Sequence, residues 1–219
     1  MSVYHHHRYA LLFYTLLVTL GIAPLLAALG FSTNTLQILL AFSLLAAVLN
    51  VQGQRWRMLL ILVAAVAVGL YAAPTLALGR GLARWAVLLV VAVAVIATAS
   101  AVRFAMTAKD VYAEHVYAAL SAYLLAGFSF GVLHWSIESN WPGSFSEGGG
   151  VSTHFSLSTA IYFSFVTLAT LGYGDVAPKT EVARGIVIFE AVGGQLYVAA
   201  MIARLVGARL QTVGDPPGR

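Results

Sequence analysis

The run Thr170-Leu171-Gly172-Tyr173-Gly174-Asp175 is the stretch of this chain whose residue types and spacing best suit a chemical task. Glycine reaches positive φ at little steric cost, so Gly172 and Gly174 suit an unusual backbone in which consecutive carbonyl oxygens turn to one side. Leu171 and Tyr173 can then point their side chains away, and Thr170 adds a hydroxyl oxygen at one end. Such a ladder of oxygens can replace the water shell of a dehydrated monovalent cation. A plain Gly-rich turn closed by Asp175 would account for neither the uncharged flanks nor irregular backbone at membrane depth.

The rest of the chain explains where that run must sit. Of the 219 residues 60% are hydrophobic and 9% charged, against about 25% charged in an ordinary soluble domain. No charged residue lies between Arg8 and Arg55, and Met58 to Gly79, Trp85 to Val102 and His115 to Ile137 are also uncharged. A spanning helix needs about 20 apolar residues. Ala10 to Gly30 is too long for the apolar core of a signal peptide, about 7 to 15 residues, and is expected to stay as a span.

We therefore expect an all-α membrane protein with six transmembrane helices per subunit, near 9–30, 34–52, 57–78, 84–106, 110–135 and 182–209. Turns are expected at Gly30 to Asn34, Gln52 to Arg55 and Ala77 to Gly81, with Pro24 and Pro74 near helix ends. Between the fifth and sixth helices, Ser136 to Glu181 holds a polar Gly-rich tract (Ser144 to Ser152) and then Leu157 to Leu168. Twelve residues make a helix of about 18 Å, a re-entrant half-helix and not a crossing. The chemical run follows it directly.

With the N-terminus inside, Arg8, Arg55, Arg57, Arg103, Lys109, Arg204, Arg209 and Arg219 fall on the cytoplasmic side. Arg80, Arg84, Lys179 and Arg184 fall outside, so the balance agrees with the positive-inside tendency. Both termini are expected to be cytoplasmic, in a multi-pass protein of the plasma membrane (the inner membrane if the cell is bacterial). The formal charge of +4 comes without a basic run, which argues against nucleic acid as a partner. The absence of cysteine excludes disulfides, zinc-thiolate sites and thiol redox chemistry. With no G-x-S-x-G or H-E-x-x-H pattern, no enzyme activity and no organic cofactor are expected.

The stretch from Tyr162 to Asp175, Tyr-Phe-Ser-Phe-Val-Thr-Leu-Ala-Thr-Leu-Gly-Tyr-Gly-Asp, resembles the pore helix and selectivity filter of the potassium-channel superfamily. The resemblance implies that Thr170, Leu171, Gly172 and Tyr173 lend carbonyl oxygens to K⁺, the permeant ligand, with four subunits of a homotetramer closing the ring. Leu171 replaces the commoner Val, which changes packing and not the backbone ligand. Gly174 and Asp175 support the filter. An aromatic behind the filter holds the Asp in that family, and of Tyr162 and Phe163 only Tyr162 offers a hydroxyl. Val166 stands where some members carry a buried Glu, so no carboxylate pair is expected there.

Gly194 lies twenty residues beyond Gly174, where similar channels place a hinge glycine. Close packing on a small residue is the other reading of Gly193-Gly194. Helical spacing puts Val198, Ile202 and Val206 on one stripe with Gly194, facing the pore if the resemblance holds, and Gln195 beside it. Glu190, ionisable within an apolar span, reads as a neutral brace for the pore helix.

Six helices with a re-entrant loop look like the voltage-gated architecture, yet the fourth helix has only Arg84 and Arg103, and no Asp or Glu precedes Asp110. Each charge contributes about 2.3 kcal/mol per 100 mV, so strong voltage gating is not expected. The domains are expected to be a four-helix transmembrane domain (1–108), a pore domain (109–211) and a short cytoplasmic tail (212–219). No nucleotide or Ca²⁺ domain is expected after the sixth helix. Gating would fall to the filter, the sixth helix, lipid, pH or an unidentified regulatory subunit. His5, His6, His7, His115, His134 and His154 are candidates for a pH-sensing group by residue type, with a plain surface or interface role as the other reading. The function expected is passive K⁺ conduction, with a K⁺-transporter subunit or a non-conducting pore-like auxiliary protein as alternatives.

Overall fold

The computed structural model describes residues 7–29, 34–51, 53–72, 79–107, 112–148, 150–151 and 155–214. The first interhelical turn, Gln52, Pro74, Lys109, His5, His6, His154 and Arg219 lie outside them, as do the side chains of Arg80, Arg84 and Arg209. The chain is mostly helical. Helix α1 is Arg8–Ala28, α2 Asn34–Leu49, α3 Gln54–Ala72, α4 Gly79–Thr107 and α5 Ala113–Asn140. Strands β1 (Phe145–Glu147) and β2 (Gly150–Val151), helix α6 (Leu157–Leu168), strand β3 (Val176–Pro178) and helix α7 (Glu181–Gly214) complete the order. Among the described residues, Val87–Thr107, Ala113–Asn140 and Glu181–Gly207 are long and apolar enough to cross a membrane.

The packing follows from small residues at helical spacing. Val93, Ala97, Ala101 and Ala105 recur every fourth position on α4 and are all buried, as are Ala118 and Ala122 on α5. Side chains this short let two helices approach closely, and α4 with α5 is the most extensive helix pair. Tyr9, Leu12 and Leu16 of α1 join the same core. At the start of α1, Glu114 Oε2 accepts from the Tyr9 backbone N–H at 3.0 Å, giving a first-turn donor a carboxylate partner. Arg8 lies over the rings of Tyr9 and Phe104, 5.1 Å from each centroid.

Helix α6 begins at Ser156, whose hydroxyl accepts from the Thr159 N–H at 3.1 Å. It packs against α5 through two glycines. A Cβ on Gly131 would stand 2.7 Å from Ile161 Cα, and one on Gly127 would stand 2.6 Å from the Phe165 ring. Because backbone meets backbone at Gly131, Gly131→Ala is expected to destabilise the chain by about 1–3 kcal/mol through overpacking. Thermal unfolding in detergent checks this, with Gly21→Ala, which meets no neighbour, as the control.

Several features depart from the sequence expectation. Helix α4 begins at Gly79, within the turn expected at Ala77 to Gly81, and α7 continues to Gly214, into the expected tail. The fifth helix does not end at residue 135 but continues through Asn140. The Gly-rich tract is not all loop either, because β1 lies between β2 and β3 in a three-stranded antiparallel sheet, with Ser146 opposite both Val151 and Ala177. Behind the sheet, Phe145, Phe155, Phe163, Ile137, Val176 and Ala183 form a second, smaller core. This core packs the C-terminal end of α5 against α6 and the strand that leaves the Gly-rich run.

Candidate functional site

The site is the exposed backbone between α6 and β3. The last four carbonyls of a helix have no partner within it, and here each finds one. Phe165 O accepts from Ala169 N, Val166 O from Leu171 N and Thr167 O from Thr170 N. Leu168 O accepts from Gln195 Nε2 at 3.1 Å. Gln195, beside the Gly194 stripe, thus has its side chain committed to the base of α6.

Beyond that turn, φ is positive at Thr170 (57°), Gly172 (54°) and Gly174 (77°), and at neither Leu171 nor Tyr173. Alternation of hand turns every second peptide plane, the change that brings consecutive carbonyls to one side of a strand. The two glycines adopt this conformation freely, but Thr170 does so at a steric penalty of about 1–2 kcal/mol. That requirement at Thr170 was not legible from residue type. Its hydroxyl donates to Ala169 O at 2.7 Å. Leu171 and Tyr173 are 54% and 65% exposed in the single chain, so more than half of each is left uncovered by the described residues.

Asp175 is held from two directions. Tyr162 donates its hydroxyl to Oδ2 at 2.8 Å, and the Val176 N–H donates to Oδ1 at 3.1 Å. Tyr162 and Asp175 are thus brought together as the sequence reading anticipated. Phe163, the alternative partner, points into the small core. Val166 is buried, and no carboxylate stands behind Asp175 at its position. Asp175 O also accepts from Gly148 N, and β3 pairs with β1, so the C-terminal end of the run is tied to the sheet.

Helix α7 supports the run from behind. Ala183, Glu190, Gly194 and Met201 are buried along one stripe. A Cβ on Gly194 would lie 2.6 Å from Leu168 Cδ2. The structure therefore places Gly194 in close contact with the base of α6, within a helix unbroken from Glu181 to Gly214. Val198 is half-buried and Ile202 is exposed, so Gly194 does not share their surroundings. Packing at Gly194 predicts that Gly194→Ala lowers thermal stability in the wild type and does so much less in a Leu168→Ala chain, where the opposing side chain is gone. Stability unchanged by Gly194→Ala in both backgrounds would favour the hinge.

Glu190 and His134 are wholly buried, with Glu190 reaching His134 on α5 and Ser164 on α6. Glu138 was missed in the sequence because it fell beyond the expected end of its helix. It is buried and accepts from the backbone N–H groups of Gly143 at 2.8 Å and Phe145 at 2.9 Å. Among the described residues no cluster of His, Asp or Glu is arranged to hold a metal ion through side chains.

Residues 118–210, from α5 through most of α7, match the family model described as ion channel. With the apolar helices, that match marks the chain as a membrane-embedded, multi-pass protein. The chain is 34% identical over 92 residues, 42% of its length, to the two pore potassium channel c of Oryza sativa subsp. japonica, covering 18% of that protein. It is 40% identical over 52 residues, 24% of its length, to the voltage-gated potassium channel Kch of Escherichia coli (strain K12), covering 12% of it. The aligned stretch spans less than a fifth of either relative. No solved structure gives a significant match. The stretch these comparisons share is thus similar to ion channels, two of them named as potassium channels.

Proposed function

We propose that the chain is one subunit of a homotetrameric K⁺-selective channel, with the carbonyls of Thr170, Leu171, Gly172 and Tyr173 as ion ligands. The observation that carries this reading is the alternation of positive φ at Thr170, Gly172 and Gly174 on a strand that leaves the C-terminus of a short buried helix. Carbonyls on one side of a strand line a pore only when other strands face them, and one chain supplies one such strand. Four copies close the ring. The negative end of the α6 dipole lies at the same level and favours a cation.

The uncovered face of α7 fits this assembly. Val192, Leu196, Ile202 and Val206 are all more than half exposed in the single chain. In the tetramer Val198 and Ile202 narrow the inner pore, an apolar constriction able to gate by dewetting. Residues 1–108 form a charge-poor four-helix domain, 109–211 the pore domain and 212–219 a cytoplasmic tail, with six spans in all and both termini cytoplasmic. Without regularly spaced arginines the first domain does not drive strong voltage gating, and no enzyme activity accompanies conduction.

Flux from K⁺-loaded liposomes tests the mode of transport. Rapid, unsaturated K⁺ efflux that needs no second ion is expected. Slow, saturable efflux that needs a co-transported ion would replace the channel with a transporter, and no efflux at all would favour a non-conducting auxiliary protein.

A further inference from the structure

The contacts of Glu190 fix where protons must lie. Ser164 Oγ is 2.7 Å from Gly127 O and 2.5 Å from Glu190 Oε1. The hydroxyl has one proton to donate, and a backbone carbonyl has none. If both contacts are hydrogen bonds, Ser164 donates to Gly127 O and accepts from Glu190 Oε1, which then carries a proton of its own. The other carboxyl oxygen, Oε2, is 2.7 Å from His134 Nε2 and accepts its N–H. His134 Nδ1 is buried without a partner, and the centroid of the His134 ring lies 5.3 Å from those of the Phe145 and Phe163 rings.

We infer that Glu190 is a neutral carboxylic acid that relays a hydrogen-bond chain from His134 on α5, through Ser164 on α6, to Gly127 O on α5, and so positions the pore helix. The ionic alternative fits the same atoms less well. An imidazolium would leave an N–H unpaired at Nδ1 among apolar rings, and a carboxylate would leave two oxygens at 2.7 Å or less with no proton between one pair of them. It would also hold two wholly buried charges within a membrane span. The neutral chain gives every N–H and O–H in it an acceptor, and the atom it leaves without a partner is His134 Nδ1. It ties α7 to α6 four residues before Gly194 meets Leu168 and five before Gln195 binds Leu168 O, so the three contacts hold the back and base of α6 together.

This assignment deepens the channel reading and rests on it for its role in conduction, but its chemistry can be read without conduction. Gln at position 190 reproduces the neutral pattern, an N–H toward Ser164 and an oxygen toward His134. In infrared difference spectra of the wild type against E190Q in lipid, a protonated carboxylic C=O band is expected in the wild type and lost in the variant. Carboxylate bands in its place would overturn the assignment whether or not the protein conducts. E190Q is expected to keep K⁺ flux within about twofold of the wild type, whereas E190A, leaving Ser164 and His134 without their partner, is expected to lose about tenfold or more. E190Q as impaired as E190A would contradict the neutral chain.

Discussion

Gly172→Ala is expected to abolish selective K⁺ conduction while leaving most of the helical fold in place. Gly172 has φ 54°, and a Cβ there would meet no atom within 4 Å in the single chain. The effect is therefore conformational and not steric crowding by a neighbour. A side chain in the left-handed region costs about 1–2 kcal/mol per residue, and in a tetramer the penalty falls four times on one filter. Thr170 already bears it next door, held by a pore-helix turn in which its N–H bonds Thr167 O. Gly172 has no such turn around it. The alanine chain is free to relax toward negative φ and swing a carbonyl off the axis. The measurement is the K⁺ to Na⁺ permeability ratio of the variant beside its circular dichroism. Wild-type selectivity in a well-folded G172A would contradict the carbonyl ligand set.

Glu138→Ala is expected to have the largest effect on stability. Its carboxylate satisfies the N–H groups of Gly143 and Phe145 in a buried turn, and alanine leaves both without a partner. A buried donor deprived of its partner costs about 1–3 kcal/mol, which applies in full to the buried Phe145 N–H and in part to that of the half-buried Gly143. The damage is also placed where it matters, because Phe145 begins β1, which pairs with β3 at the exit of the filter. Thermal unfolding should show a marked loss for E138A and a smaller one for E138Q, which keeps one acceptor oxygen. An unfolding midpoint for E138A equal to the wild type would mean that water replaces the carboxylate without penalty.

What could be read from the sequence was local. Leu157 to Leu168 forms a helix with the limits its apolar run suggested, since Ser156 caps one end and the Gly-containing run breaks the other. Gly172 and Gly174 announced a backbone that glycine alone adopts freely, and Tyr162 stood at a distance from Asp175 that a helix and a short return can close. The parts that stayed hidden depend on residues distant in sequence. Glu190 drew notice as a lone acid in an apolar span, but His134 lies 56 residues from it and Ser164 26 residues, and nothing local selects them. Gly194 was open between hinge and packing until Leu168 appeared against it. The strands are two and three residues long, too short for an alternating pattern to be seen.

The central claim is that four backbone carbonyl rings, from Thr170 to Tyr173, select K⁺. Reconstituted bilayer recording with K⁺ on one side and Na⁺ at equal concentration on the other tests it most directly. Selective carbonyl coordination predicts a reversal potential displaced far from zero in the direction set by K⁺. A reversal potential near zero would contradict it.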